Sequence, residues 1–234
     1  MSASSRCSSP LWALGACVFE MHEFFYAAKA KRVIDIAGSL ILLLATMPFQ
    51  LLCALAIAAD DGLPIYFHQA RVGKHGRIFS LHKFRTMTVG TETAAKGYPT
   101  PAMVTKSGRL IRRVSFDEIP QLINILRGEM SFVGPRPAVQ SQVVRYTSEQ
   151  RGRLVVRPGL TGLAQVRHRN NAPWSRRITT DLEYIRRLSL RMDFWILLQT
   201  VPVALKGEGQ LVGQTAADVD DLETDDTGSV STYE

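Results

Sequence analysis

Asp117 and Glu118 stand side by side in RRVSFDEIPQLINILRGEMSFVGPRP, residues 112–137. Arg112 and Arg113 precede them, and a rigid Gly134-Pro135-Arg136-Pro137 follows. The pair has a purely structural reading. Pro120 is comfortable only in the first turn of a helix. That makes Asp117 an N-cap and Glu118 a first-turn acid favoured by the helix dipole, or else Ser115 and Glu118 a capping box. The surroundings offer a chemical reading as well. A helix start, two arginines and the basic Lys83-Phe84-Arg85 would together cradle phosphate. A carboxylate among those cations stays ionised. An ionised aspartate can attack phosphorus and form an aspartyl phosphate. Its neighbour Glu118, pointing elsewhere, can hold a Mg²⁺ that bridges substrate phosphates.

Local elements must position these groups. PIYFHQARVGKHGRIFSLHKFRTM (residues 64–87) reads as two short strands around a turn from Gly73 to Gly76. Residues 88–105 show no period and read as a loop, and Gly108 to Arg113 as a short basic segment. Glu118 to Arg127 reads as a helix closed by Gly128. Residues 141–155 read as a further helix, RPGLTGLAQV (157–166) as a turn-rich connector, and Thr180 to Leu188 as a polar helix. Met192 to Leu205 is too short to span and suits a helix at a membrane surface or in a core.

The most apolar stretch is VIDIAGSLILLLATMPFQLLCALAIAA, residues 33–59, in which Asp35 is the single charge. About 20 such residues suffice to cross a bilayer. Pro48 in its middle removes a backbone bond and favours a kink. Lys29, Lys31 and Arg32 lie before it and Arg71, Lys74 and Arg77 after it, and cytoplasmic flanks carry positive charge. These features alone leave a spanning and a re-entrant helix both open.

Composition narrows the class. The 234 residues are 46% hydrophobic, enough for one domain with appendages. Net charge is +7, but residues 214–234 hold seven acids and no Lys or Arg, so the body carries +14. A body that basic expects an anionic partner. Nucleic acid fits poorly, because the basic residues adjoin a membrane segment and lack interleaved aromatics. Cys7, Cys17 and Cys53 have neither metal nor disulfide spacing. The first residues make a poor signal peptide, so Met21 is the expected start, or residues 1–28 a disordered leader.

KRVIDIAGSLILLL, FHQARVGKHGRIFSLHKFRTM, SGRLIRRVSFDEIPQLINILRGEMSFVGPRP, RPGLTGLAQV and DLEYI occur in one order over residues 31–209. In these the chain resembles the bacterial sugar transferases, monotopic polyprenyl-phosphate sugar-1-phosphate transferases. The resemblance implies transfer of sugar-1-phosphate from a UDP-sugar to undecaprenyl phosphate with release of UMP. Asp117 would be the nucleophile, Glu118 the Mg²⁺ ligand and Arg112 a phosphate contact. Lys83, Arg85 and Arg136 would line the phosphate site, Asp181 and Gln165 would support it, and Pro48 would mark the membrane bend.

The implied architecture is α+β and mainly helical. It has a re-entrant helix–break–helix over residues 29–61, a catalytic domain over 62–209, interfacial amphipathic helices and an acidic disordered tail over 210–234. The implied location is the bacterial inner membrane, with the catalytic domain facing the cytoplasm and in contact with membrane lipid; a homodimer is left open. A membrane phosphatase or pyrophosphatase acting through phospho-Asp is the alternative. Three positions depart from the family pattern: Met47 where serine is usual, Arg167-His168 where Asn-Gly is usual, and Phe116 for leucine. His168 reads as a surface residue.

Overall fold

The apolar run folds as one helix, α1 (Lys31–Asp61), in a computed structural model that describes residues 29–90, 101–168, 172–205 and 221–222. At 1.5 Å rise per residue it is roughly 46 Å long. Its outward face is bare: Ile41, Leu44, Met47, Leu51 and Leu52 are 62–64% exposed, an apolar stripe too continuous for a water-facing surface. Among the described residues it is the one helix long and apolar enough to cross a membrane.

The inward face rests on the remainder of the protein along its length. Gly38 abuts the Phe132 ring so closely that a Cβ would approach it to 2.8 Å. Leu43 joins the cluster of Phe79, Leu81, Leu122, Ile125 and Met130. Phe49 meets Phe116 edge-on at 6.4 Å. Cys53, Ala54 and Ile57 pack with Phe84 and Ile111. The expected helix–break–helix is corrected to a helix that continues through Pro48. Side chains beside the proline reinforce that turn: Thr46 Oγ1 donates to Leu42 O at 2.6 Å, and Gln50 Nε2 donates to Leu43 O at 3.3 Å and to Thr46 Oγ1 at 2.9 Å. These bonds add polar contacts in the turn before Pro48, to which Met47 contributes none.

Two strands follow as expected. β1 (Tyr66–Val72) pairs antiparallel with β2 (Ile78–Phe84), from Tyr66↔Phe84 to Val72↔Ile78. The segment read as basic is a helix, α2 (Lys106–Arg113), capped by Thr105 Oγ1, which accepts from Gly108 N at 3.0 Å. A 3-10 turn (Phe116–Glu118) leads to α3 (Gln121–Arg127), which ends at Gly128 with φ of 82°. β3 (Ser131–Val133) lies parallel to β4 (Gly159–Thr161). Between them come α4 (Gln140–Val143) and a 3-10 segment (Gln150–Val155), and after them α5 (Leu163–His168), α6 (Trp174–Arg186) and α7 (Leu190–Leu205).

Several sequence expectations change here. The helix after the acids begins at Gln121, not Glu118. Residues 141–155 are two short pieces rather than one helix, and 157–166 hold a strand and part of a helix rather than a connector. α6 begins at Trp174 rather than Thr180. The strand was invisible to periodicity because contact creates it: a Cβ on Gly159 would stand 2.1 Å from Gly134 N, so a bare glycine lets β4 lie against β3. α7 is two-sided, with Asp193 and Ile196 buried and Phe194, Trp195, Leu198 and Val201 exposed. Residues 91–100, expected as part of a loop, and the leader lie outside the described residues, as does the acidic tail except Asp221 and Leu222.

Those two residues are docked. Leu222 is buried among Val72, Ala138, Val143, Tyr146 and Ile178. Arg145 Nη1 donates to Leu222 O at 3.3 Å, and the Ser175 amide donates to Asp221 Oδ1 at 3.0 Å. Leu222→Ala should therefore cost about 2 kcal/mol, read as a fall in melting temperature of roughly 4–8 °C. An unchanged melting temperature would mean that the tail does not pack there.

Candidate active site

Glu118 is the junction of three chain segments. Its Oε1 pairs with Lys83 Nζ from β2 at 2.6 Å and with Arg136 Nη2 from the proline-flanked segment at 3.3 Å. The turn that carries it is set by Ser115, whose φ of 55° is the left-handed conformation. Ser115 N donates to Arg112 O at 2.9 Å, and the chain reverses from α2 into the 3-10 turn. Asp117, one residue earlier, is 2% exposed, which removes its carboxylate from bulk water. Arg112 projects from the last turn of α2 and places positive charge near both acids. Its Nε donates to Thr86 Oγ1 at 2.8 Å, which fixes the guanidinium.

The capping interpretation of the acids is corrected. No side chain caps α3 at Pro120, and Ser115 makes no side-chain cap to the 3-10 turn. Asp117 lies in the 3-10 turn and does not cap α3. The positive charge comes from side chains brought in over long sequence separations. Burial by itself would raise the Glu118 carboxyl, but Lys83 and Arg136 outweigh it and hold it down at about 2.

The other expected residues divide. Lys83, Arg112, Arg136, Asp117 and Glu118 come together. Arg85 does not follow Lys83: its Nη2 donates to Asp61 O at 2.8 Å and Gly62 O at 2.6 Å, so it is spent on the end of α1. Asp181 is buried and accepts from Arg153 Nη2 at 2.6 Å. Burial pushes its carboxyl up, to about 6, against the pull of Arg153 and Arg177. Gln165 sits in α5 and donates to Leu160 O at 3.3 Å, supporting the β4 turn. Pro48 lies midway along α1. His168 is half-buried rather than at the surface and shares a bond with Thr180 Oγ1 at 2.8 Å.

Two arginines escaped the sequence reading. Arg71 registered only as a flanking charge of the apolar run, yet burial and the neighbouring Arg136 bring its guanidinium down to about 10. Arg153 lies in the stretch read as a helix and is 3% exposed. Its one sequence signal was a basic residue in a stretch otherwise turning toward the core.

The oxygen donors suit Mg²⁺. Among the described residues no group of three or more His, Cys, Asp or Glu could hold a metal alone. Mg²⁺ commonly takes one or two carboxylates and fills its shell with phosphate oxygens and water. Glu118, ionised and 16% exposed, is a carboxylate of that kind.

The model of the bacterial sugar transferase family matches residues 26–207. Over 179 residues the chain is 40% identical to the uncharacterized sugar transferase EpsL of Bacillus subtilis, a match covering 76% of this chain and 89% of that protein. Identity is 35% over 196 residues with the undecaprenyl-phosphate galactose phosphotransferase of Salmonella typhimurium, covering 76% of this chain and 41% of the enzyme. It is 42% over 185 residues with the undecaprenyl-phosphate glucose phosphotransferase of Komagataeibacter xylinus, covering 73% and 35%. The chain thus spans most of the first relative and under half of the other two.

The charge arrangement predicts a pH dependence. A carboxyl lowered from 4.5 to about 2 contributes stability above pH 4.5 and loses it as pH falls toward 2. Wild-type protein should lose stability through that window in acid unfolding. Glu118→Gln should flatten this limb and lower stability at pH 7, because Lys83 and Arg136 lose their counter-charge. An identical acid limb in both proteins would count against the pairing.

Proposed function

The chain belongs to the bacterial sugar transferase family, and on that footing we propose that it transfers sugar-1-phosphate from a UDP-sugar to undecaprenyl phosphate and releases UMP. The observation that carries this reading is the buried Asp117 beside a Glu118 clasped by Lys83 and Arg136, with Arg112 charging the same space. Galactose and glucose phosphotransferases are among the relatives of this chain, which favours transfer over hydrolysis to phosphate.

The proposed chemistry has two displacements. Asp117 attacks the sugar-bearing phosphorus, a P–O–Asp bond forms, and the bond to the bridging oxygen breaks, so that UMP leaves with that oxygen. A phosphate oxygen of undecaprenyl phosphate then attacks the same phosphorus and Asp117 leaves as carboxylate. Atoms balance without water. The cations stabilise charge on the transferring phosphoryl group, where preorganised electrostatics contributes most. Lys83 and Arg136 hold Glu118 in place, and Arg112 offers a planar fork to phosphate. Glu118 would hold Mg²⁺ together with the substrate phosphates, and that ion would neutralise diphosphate charge.

The reading extends to topology. A crossing needs about 20 residues surrounded by lipid. α1 touches the rest of the protein at Arg32, Asp35, Gly38, Leu43, Phe49, Cys53, Ile57 and Asp60, so no stretch of that length is free. Its start is fastened by Lys31 to Asp193 and by Arg32 to Ile125 O at 2.5 Å and Leu126 O at 2.8 Å. Its end is fastened by Asp60 to Ser107 N at 2.7 Å. Both ends thus belong to one packed unit. That supports a monotopic protein that enters and leaves one leaflet, its catalytic unit at the cytoplasmic face of the inner membrane, where α7 offers a second apolar contact.

Purified protein given a panel of UDP-sugars, undecaprenyl phosphate and Mg²⁺ should release UMP with at least one sugar and stop on addition of EDTA. Asp117→Asn should abolish turnover and also the phospho-sugar adduct that intact-mass analysis finds on wild-type protein with UDP-sugar alone. An active Asn variant removes Asp117 from this role, and full activity in excess chelator removes the metal.

Topology has its own test. Lys29→Cys and Arg77→Cys, each in a background lacking Cys7, Cys17 and Cys53, should both resist an impermeant thiol reagent until the inner membrane is breached. Labelling at residue 29 alone from the periplasm would establish a spanning helix instead.

A further inference from the structure

Residues 135–138 are held in an unusual way. Four successive carbonyls are each taken, two by the end of β1 and one each by Arg153 and Gly159. Pro135 O accepts from Gly159 N at 2.9 Å, and Ala138 O from Val72 N at 2.9 Å. Between them Arg136 O accepts from Arg153 Nη2 at 3.0 Å, and Pro137 O from Arg71 Nη1 at 2.9 Å. The outer two bonds are backbone bonds that most residues could make. The inner two require long side chains that are themselves fixed. Pro135 and Pro137 have no N–H, so this segment cannot hold itself by a ladder of its own.

Both arginines are fixed at the far side. Arg71 Nε and Nη2 donate to Gln69 Oε1 at 3.1 and 2.5 Å. Arg153 donates to Tyr146 Oη and pairs with Asp181 at 2.6 Å in full burial. Placing two guanidiniums behind a third is electrostatically uphill, and Arg136 adds to the strain on Arg71. A segment that only needed its carbonyls satisfied could use neutral donors. Arg136, whose own carbonyl is the first of these two, reaches Glu118 with its side chain at 3.3 Å.

We propose that Arg71 and Arg153 are positioning residues that act through Arg136: they clamp its carbonyl and the one that follows so that its guanidinium meets Glu118 and the phosphates. Gln69 and Asp181 orient the two clamps. This rests on the transferase reading of the Glu118 site. Misplacement by about 1 Å costs up to roughly a hundredfold in rate, so a loosened clamp is read in turnover rather than in folding.

The test is a pair of mutant cycles. Arg71→Met and Arg153→Met keep length and remove the donors, and each is made in the wild-type and the Arg136→Ala background. Transfer from radiolabelled UDP-sugar in membrane nanodiscs gives kcat. Each Met substitution should lower kcat by about 10- to 100-fold in the wild-type background and by less than about twofold with Arg136→Ala, because the clamp then has nothing to aim. Lysine at either position restores one donor and should recover most of the loss. Equal losses in both backgrounds overturn the proposal. Should Arg153→Met fail to fold, Arg71→Met on the partly exposed strand carries the cycle. Hydrogen exchange is read in parallel: Arg71→Met should speed exchange in the peptide covering residues 134–139 and leave α6 unchanged. Unchanged exchange there overturns the clamp whatever the activity. Wild-type turnover that is insensitive to Arg136→Ala, beside altered exchange, would instead refute the reading of the Glu118 site and leave the clamp as structure.

Discussion

The carboxylate of Glu118 holds the site together. Lys83 comes from the hairpin, Glu118 from the turn after α2 and Arg136 from the segment after β3, and each would be an isolated charge without the others. Burying such groups is unfavourable unless they are paired. Their pairing therefore fixes where three segments meet. Asp117 inherits its position from this junction, because it is the residue before Glu118 in a short turn set by the left-handed Ser115.

The same logic of compensated charge continues outward. Arg136 is supported by Arg153, Arg153 by Asp181, and Asp181 belongs to α6. On the other side Arg71 ties Pro137 to the hairpin that also supplies Lys83. Cations this close must each be compensated. Here Lys83 and Arg136 have an acid, Arg153 an acid and a carbonyl, Arg71 a carbonyl, and Arg112 the hydroxyl of Thr86. Tyr184, which donates to Asp193 and to Val133 O, carries the network to the start of α1, where Lys31 completes it.

α1 answers a different constraint. Its outward face is apolar and bare, and its inward face packs on the rest of the protein. Two of its polar residues are partnered: Asp35 accepts from Ser131 Oγ and from Phe132 N, and Gln50 reaches back past Pro48. An unpartnered polar group in hydrocarbon would cost several kcal/mol, and these pairings avoid that cost. The candidate site and the apolar face of α1 are thereby joined through one packed unit.

The sequence by itself determined what depends on neighbours in the chain. The hairpin followed from two short strand-like runs around the turn from Gly73 to Gly76, the apolar helix from 27 residues with one charge, and the end of α3 from Gly128. Family-specific motifs marked Asp117, Glu118, Arg112, Lys83 and Arg136, which do meet. The fold class, mixed and mainly helical, was legible for the same reason. What only the tertiary structure decided depends on partners far along the chain. β4 is a strand because Gly134 lies against it, and Asp117 sits in a turn rather than capping a helix because Ser115 reverses the chain. Arg85 looks equivalent to Lys83 in sequence, yet it serves Asp61 and Gly62. Arg71 and Arg153 look like ordinary surface charges until burial selects them, and Leu222 looks like part of a solvated tail until a pocket receives it. Local propensity is written in short windows. The cost of burying a charge or an apolar side chain is settled by whichever distant residues arrive beside it.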